Sequence, residues 1–300
     1  MALALLLTAC GNDDPIPGIP TPLPLPEGPS DNESAIVINN DGSTSTGASF
    51  VPVDDAAFFI DGLRYAVEDS HIVINGYDEY ELPDNVRPYA YITYRGVKYP
   101  VTSIRTSFGD SKRVAARLLS FDTPVTVETM YSPDKYGGVF FYCQSLCYVT
   151  LPDKLQKISK NLFYSCISLK RIHIPSSVTV IESNAFFGCE SIPKIVLPDG
   201  LKIIGEGVFR FCNSVKEIDL PSGIESIDPY SFSACRNLSV VRCHIAVPPE
   251  IEYNVFEYYE EMFNPIGEPY NKTLYVPEAA VAAYSATYPW NYFREILPLP

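Results

Sequence analysis

Apolar residues return every 23 positions along the middle of the chain. Three of these apolar columns are Leu146, Leu169, Ile192, Val215 and Leu238; Val149, Ile172, Ile195, Ile218 and Val241; and Leu151, Ile174, Leu197, Leu220 and Cys243. A fixed period of this length is typical of coils that stack on one another, so that each coil buries the apolar edge of its neighbour. We therefore predict that this part of the chain is a solenoid.

The order of residues within one repeat predicts how a coil is built. Ile172 and Ile174 are two positions apart, which indicates a short strand with both side chains facing inward. Pro175 follows at once and ends the strand, because proline has no N–H to donate to a neighbouring strand. Val178 and Ile181 are three positions apart, so we predict that the next stretch turns as a tight helical or 3₁₀ segment.

Phenylalanine and cysteine keep the same interval. The phenylalanines are Phe140, Phe163, Phe186, Phe209 and Phe232, and the cysteines are Cys143, Cys166, Cys189, Cys212 and Cys235. We expect the phenylalanines to fill the coils and the cysteines to form a ladder of buried, reduced thiols that pack as small apolar groups. Side chains with the same orientation on stacked coils do not have the geometry of a disulfide. No histidine pattern accompanies them, so a zinc site is not expected.

The stretch from Phe163 to Ile181 reads Phe-x-x-Cys-x-Ser-Leu-x-x-Ile-x-Ile-Pro-x-x-Val-x-x-Ile. This pattern resembles the BspA-type, or Treponema-type, leucine-rich repeat. The resemblance implies a leucine-rich-repeat solenoid with short parallel strands, 3₁₀ or irregular turns and 23-residue coils. It also implies a bacterial surface protein of the kind implicated in adhesion and host-protein binding, in which the strand face commonly carries the ligand.

The first residues are consistent with a lipoprotein leader. Residues 1–9 are mostly apolar but too few to span a membrane, and Leu7-Thr8-Ala9-Cys10 resembles a lipobox, in which Cys10 would be the lipid attachment site. No basic residue precedes the apolar run, which leaves open a truncated leader or a disordered apolar N-terminus. The acidic pair Asp13 and Asp14 resembles the export signal of Bacteroidetes surface lipoproteins, so we expect an outer-membrane, cell-surface location.

Composition divides the remaining chain. Residues 10–50 are rich in Pro, Gly and Ser and are predicted to be a tether. Residues 51–112 are predicted to be a β-rich N-terminal cap, with hairpin turns at Asp61-Gly62 and Arg95-Gly96. Residues 113–248 hold the repeats. Residues 249–300 are predicted to be an α/β C-terminal cap with a strand ending at Pro277, a helix over 278–287, and Trp290 and Phe293 closing the last coil.

Charge and motifs bear on function. With 22 basic and 36 acidic residues the net charge is −14, which disfavours nucleic-acid binding and leaves the lipid as the expected membrane contact. The three histidines have no motif partner, and no Gly-x-Ser-x-Gly, His-Glu-x-x-His or phosphate-binding loop occurs. We therefore expect a monomer that is not an enzyme and needs no cofactor.

The outward strand positions are the candidate binding face. The residues assigned to it are Tyr148, Lys170, Arg171, His173, Lys194, Lys216, Glu217, Asp219 and Arg242. They predict a mixed, locally basic surface with Tyr148 as an aromatic anchor, although an ordinary solvated face without a ligand is also open. The expected partner is a host or neighbouring-cell protein, or a glycan.

Two further roles stay open: a glycan-binding lipoprotein of a nutrient-uptake system, and a structural surface protein without a soluble ligand. A second candidate surface is the tyrosine-rich segment 250–263.

Overall fold

The computed structural model describes residues 34–39, 41–135, 137–257 and 270–300. Its internal contacts divide the chain into two compact units. The first unit comprises residues 1–155 and 166–175, and the second comprises residues 156–165 and 176–300. The leader and Cys10, for which a lipid attachment is predicted, lie outside the described residues.

The described part of the first unit is built mainly from two sheets. One sheet contains β1 (Ala35–Val37), β2 (Phe50–Pro52), β3 (Ala57–Ile60), β4 (Leu63–Glu68), β5 (His71–Tyr77), β7 (Tyr91–Tyr94), β8 (Val97–Ile104) and β10 (Thr129–Met130). Its order is β1-β7-β8-β5-β4-β3-β2, and β10 also pairs with β8. The other sheet has the order β13-β11-β9-β6 and consists of β6 (Asn85–Val86), β9 (Ser120–Asp122), β11 (Tyr148–Thr150) and β13 (Arg171–Ile172). A 3₁₀ turn, Phe108–Asp110, and helix α1 (Lys112–Ala115) connect the two sheets along the chain.

Both predicted hairpins of the N-terminal cap are confirmed. Strands β3 and β4 pair antiparallel up to Ile60 and Leu63, and Asp61 and Gly62 between them have φ values of 47° and 79°. Strands β7 and β8 are joined in the same way through the Arg95-Gly96 turn, with φ values of 50° and 78°. Two successive positive φ values give a turn whose twist matches that of the strands, which is why a residue tolerant of that region followed by glycine predicts it.

The predicted tether is shorter than expected. Strand β1 lies within residues 10–50 and pairs in parallel with β7, with Ile36 opposite Ile92. Ile36 and Ile38 are both buried. Their alternation with exposed neighbours is a strand pattern, but the Gly-, Ser- and Thr-rich residues after them dominate the composition of this segment. The part of the chain that could act as a tether therefore ends before Ala35.

The described part of the second unit carries two sheets of parallel strands. One has the order β12-β14-β15-β17 and contains β12 (Lys157–Ile158), β14 (Val180–Ile181), β15 (Ile203–Ile204) and β17 (Ser226–Ile227). The other has the order β16-β18-β19-β20 and contains β16 (Glu217–Leu220), β18 (Val240–Cys243), β19 (Tyr270–Val276) and β20 (Phe293–Pro298). Helix α2 (Val281–Ala286) and the 3₁₀ turns Tyr253–Val255, Glu278–Ala280 and Trp290–Tyr292 complete it.

The prediction of a helical or 3₁₀ turn at Val178 to Ile181 is wrong. Val180 and Ile181 form β14, and Ile181 lies opposite Ile158 on one side and Ile204 on the other. The backbone N–H of Gly205 donates to the carbonyl of Ile181 at 2.8 Å, as a parallel strand requires. Each strand of this sheet has only two residues, which is too short for an alternating pattern to be recognised in the sequence.

A column of stacked phenylalanines fills the second unit. Phe163, Phe186, Phe209, Phe232 and Phe256 follow one another with ring centroids 5.2–5.5 Å apart and interplanar angles of 7–21°. All five side chains are fully buried. Offset stacking at this distance adds a favourable quadrupole interaction to the burial of apolar area. The column therefore joins consecutive coils through side chains as the strands join them through backbone.

The cysteines of the ladder are free, buried thiols. Each of four donates a hydrogen bond to the carbonyl of a phenylalanine 26 residues earlier: Cys166 to Phe140 in the first unit at 3.0 Å, and Cys189 to Phe163, Cys212 to Phe186 and Cys235 to Phe209 in the second unit at 3.0–3.3 Å. Burial raises the pKa of Cys235 to about 12, which keeps the thiol protonated and able to donate. The sulfur thus satisfies a buried carbonyl that would otherwise have lost its hydrogen bond to water.

The predicted strand and helix of the C-terminal cap are confirmed. Leu274 on β19 lies opposite Val241 on β18, and α2 lies within the predicted helical segment. Trp290 is fully buried, donates from Nε1 to the carbonyl of Pro249 at 2.8 Å and lies 5.9 Å from the ring of Phe256. The cap therefore covers the end of the phenylalanine column with aromatic rings.

We expect Phe186→Ala to lower the free energy of unfolding by about 3–5 kcal/mol, because it removes a ring that is stacked on both sides within the column and leaves a cavity. Val196→Ala is the control: Val196 is 64% exposed, and its truncation should change stability by less than about 0.5 kcal/mol. Urea unfolding followed by circular dichroism measures both. Equal effects of the two substitutions would mean that the column does not hold the coils together.

Candidate binding face

The outward face of the β13-β11-β9-β6 sheet is called the first strand face. The strands are in parallel register, with Val86, Phe121, Val149 and Ile172 in one row. The first three of these side chains are buried and Ile172 is half-buried. Because successive side chains along a strand point to opposite faces of the sheet, the residues directly before and after this row lie on the outward face. The members of the first strand face are Asn85, Arg87, Ser120, Asp122, Tyr148, Thr150, Arg171 and His173.

A hydrogen-bonded network links three strands across the first strand face. The Ser120 hydroxyl donates to Asn85 Oδ1 at 2.7 Å. The Thr150 hydroxyl donates to Asp122 Oδ1 at 2.5 Å, and Arg87 Nε lies 3.0 Å from the other oxygen of that carboxylate. The repeat pattern did not indicate these partners, because β6 and β9 precede the regular 23-residue spacing. Only the polar residues around the apolar pair Val86 and Phe121 could have suggested them.

The prediction that Tyr148 is an exposed aromatic anchor is wrong. Its side chain is 2% exposed. Burial raises the pKa of Tyr148, while a hydrogen bond with Ser120 works in the opposite direction. Cys147, directly before Tyr148, and Thr150 are buried as well. In this coil the polar strand positions therefore hold the network together and are not available to a partner in this conformation.

Two cationic side chains and a histidine on one coil have a different environment. Arg171 and His173 are exposed on and just after β13, and Lys170 directly before it is half-buried. Among the described residues, the side chains of these three have no ion pair or hydrogen bond. They lie at the edge of a sheet whose other polar side chains are already paired. We call Lys170, Arg171 and His173 the cationic edge.

The remaining predicted residues belong to the second unit and form a more balanced surface. Asp219 lies opposite Arg242 in the pairing of β16 with β18. Arg242 forms ion pairs with Glu217 at 2.9 Å and with Asp219 at 3.5 Å. The hydrogen bond that it donates to Glu217 raises the pKa of its guanidinium. Two carboxylates thus oppose one cation here. Of the predicted face residues in the described part of this unit, the exposed Lys194 and Lys216 have no ion pair.

The second candidate surface, residues 250–263, lies partly outside the described residues. Of its aromatic residues, Phe256 is fully buried at the end of the phenylalanine column, which is a packing role. No cluster of metal-ligating side chains occurs within the described ranges. The same ranges contain no helix that is both long and apolar enough to cross a bilayer.

Comparison with known proteins identifies the repeats. Residues 136–262 match the model of the BspA type leucine rich repeat region, in six copies. No curated protein matches the chain.

Solved structures with a similar fold include three bacterial proteins. A leucine-rich repeat protein of Treponema pallidum is 22% identical, with 79% of this chain and 80% of that chain covered and a TM-score of 0.41. A leucine-rich repeat protein of Bacteroides ovatus is 20% identical, with 81% and 76% covered and a TM-score of 0.44. A leucine rich cell surface protein of Faecalibacterium prausnitzii is 15% identical, with 83% and 96% covered and a TM-score of 0.32.

The network on the first strand face can be tested through Thr150. We expect Thr150→Val to destabilise the protein by about 1–3 kcal/mol, because the buried Asp122 carboxylate loses its hydroxyl donor. Thr179→Val is a matched control, since the half-exposed Thr179 hydroxyl makes only a 3.5 Å contact with the Gln156 carbonyl, and its loss should cost less than about 0.5 kcal/mol. Chemical unfolding of both variants gives the difference. A Thr150 effect no larger than that of Thr179 would contradict a stabilising network.

Proposed function

Residues 136–262 match the BspA type leucine rich repeat region. From this premise we propose that the protein is a cell-surface lipoprotein that binds a macromolecular partner through the cationic edge. A repeat region of this type is consistent with a binding or structural role. The finer proposal is an adhesion module, anchored in the outer membrane by a lipid on Cys10, that binds a host or neighbouring-cell protein as a monomer.

The observation that carries the binding proposal is the cationic edge. The whole chain has a net charge of −14, yet Lys170, Arg171 and His173 are neighbours on one coil and none has an acidic partner among the described residues. An exposed cation that is not spent on an internal ion pair is available to an acid on another molecule. Such cations attract an acidic partner protein and orient it as it approaches. Complementary electrostatic potentials on two proteins also raise their association rate.

The paired part of the face supports the same reading. The Asp122, Thr150 and Arg87 contacts hold three strands in fixed register next to the cationic edge. Arg171 lies in the same row as Tyr148 and Ser120. A rigid support reduces the side-chain and backbone freedom that binding would otherwise have to remove. We therefore propose an acidic protein surface as the partner, bound at the β13 edge.

A binding role also fits the surroundings of the histidines better than a catalytic one. His173 sits beside two cations, His71 lies 3.8 Å from Glu68, and His244 lies 3.6 Å from Asp219. General-base catalysis needs a nucleophile within hydrogen-bond reach of the base, and none of these contacts has that form. We propose that the protein acts without a cofactor.

Two other roles remain distinct candidates. A glycan-binding lipoprotein of a nutrient-uptake system would bind isolated saccharides, and a structural surface protein would bind no soluble ligand. The cationic edge favours the adhesion proposal over both, because two cations without an ion pair among the described residues, Lys170 and Arg171, suit an extended acidic surface better than a neutral sugar.

The strand-face proposal predicts a charge-dependent interaction. The full chain should bind at least one protein of a panel of matrix and bacterial surface proteins. The double substitution Lys170→Glu with Arg171→Glu should weaken that binding by at least about tenfold, or 1.4 kcal/mol. It should also make the affinity less dependent on salt concentration. The control is Lys112→Glu with Arg113→Glu, which reverses an adjacent exposed pair on α1 and should leave affinity within about twofold.

Surface plasmon resonance at two salt concentrations measures these changes. Equal losses of affinity in the two double variants would indicate nonspecific electrostatic attraction. An unchanged affinity in the Lys170–Arg171 variant would show that the binding site is not on this face. A glycan array run in parallel separates the alternatives: binding to saccharides alone favours the uptake role, and binding to neither class favours the structural role.

The anchoring proposal predicts lipid on Cys10. Growth with an alkyne-labelled fatty acid should label the wild-type protein, and Cys10→Ala should abolish the label and release the protein from the membrane fraction. Cys189→Ala, which alters a buried thiol of the ladder, should keep the label. Protease treatment of intact cells then tests surface exposure. Wild-type protein that carries no lipid would refute the proposed lipid anchor, and the strand-face proposal would be unaffected.

A further inference from the structure

A cavity of about 400 Å³ lies within the first unit, between the β3–β4 turn and strand β6. Six of the residues that line it are Asp61, Leu63, Glu81, Asn85, Arg87 and Tyr89. Its volume lies in the range of small-molecule sites, roughly 300–1,000 Å³. It lies at the β6 end of the first strand face, whereas the cationic edge lies at the β13 end, three strands away.

The walls of the cavity are fixed by backbone contacts. A Cβ atom on Gly62 would lie 2.5 Å from the backbone nitrogen of Leu82, so the hairpin turn and the following loop touch with no room for a side chain. On the other wall, the buried Tyr65 hydroxyl hydrogen-bonds to the backbone of Tyr89. The turn, the loop and the segment carrying Tyr89 are therefore held in place without a ligand, as a preformed site requires.

The polar groups in the cavity include both donors and acceptors. Asn85 accepts from Ser120 through Oδ1 at 2.7 Å, which turns its amide N–H groups away from that contact and leaves them as donors. Glu81 is exposed, and within the described residues its carboxylate makes no hydrogen bond or ion pair. Asp61 accepts from the backbone N–H of Ser49 with one oxygen at 3.0 Å, which leaves the other oxygen as an acceptor.

The charge of Arg87 is already compensated, since its Nε lies 3.0 Å from Asp122. The carboxylates of Asp61 and Glu81 therefore disfavour an anionic ligand. A simple cation would satisfy the carboxylates but would leave the amide donors of Asn85 unmatched. Hydroxyl groups both donate and accept, so a neutral polyhydroxylated molecule uses all three side chains.

The apolar lining completes the match. Leu63, Val86 and the ring of Tyr89 line the cavity together with these polar groups. A sugar ring has an apolar C–H face and a rim of hydroxyls, and an aromatic side chain with a polar tip suits such a ligand. We propose that this cavity is a binding site for a neutral mono- or disaccharide. The proposal does not depend on the cationic edge, and each can fail without the other.

The test uses the full chain and two stages. A glycan array that includes neutral, amino and acidic saccharides identifies a ligand, and titration calorimetry measures its affinity for the wild type and for Glu81→Gln, Tyr89→Ala and Tyr80→Ala. Glu81→Gln keeps the shape of an exposed side chain but weakens a charge-assisted acceptor, and Tyr89→Ala removes the ring. Tyr80 is 68% exposed and does not line the cavity, so Tyr80→Ala is the matched control.

We expect a neutral saccharide to bind, and Glu81→Gln and Tyr89→Ala each to weaken it by at least about tenfold. Tyr80→Ala and the Lys170–Arg171 double variant should stay within about twofold. Circular dichroism confirms folding, and Glu81→Gln decides the outcome if Tyr89→Ala is unfolded. Binding of acidic or amino saccharides only, binding to none of the array, or neutral binding that Glu81→Gln leaves intact would each overturn the proposal.

Discussion

Parallel pairing in a register of 23 residues is the constraint on which the repeats depend. It places each side chain against its equivalent in the next coil: Ile181 against Ile204, and Ile218 against Val241. A residue type that suits one coil must therefore also suit contact with a copy of itself. Phenylalanine satisfies this by offset stacking, and cysteine satisfies it because its thiol donates to a carbonyl of the preceding coil.

The same constraint leaves the outward strand positions free to vary in residue type. The two units carry different arrangements of polar side chains at these positions. In the second unit, Arg242 is neutralised by Glu217 and Asp219 on the next strand. In the first unit the sheet continues through β9 into the cap, where β6 supplies Asn85 as the partner of Ser120. The cap therefore contributes to the face as well as covering the end of a sheet.

The repeats were predictable because their signal is redundant. Five copies of Phe, Cys and the apolar columns agree, so the coil spacing and the β18–β19 continuation at Leu274 followed from the sequence. The strands Val180–Ile181 and their equivalents were not predicted, since two residues carry no period. The burial of Tyr148 was not predicted either: strand alternation tells which side a residue faces, but not what covers it. The cavity beside Tyr89 depends on residues 60 to 89 folding together, and no repeat marks them.

Strand β1 has a mechanical consequence. Under the anchor proposed at Cys10, tension on the N-terminal side of the described fold acts on β1, which begins at Ala35. Because β1 runs alongside β7, tension along the chain loads their hydrogen bonds side by side in shear, which resists extension better than opening them one at a time. Ile36 and Ile38 would have to leave the core before the strand could slip. A three-residue strand can thus transmit force from the attached cell to the folded protein.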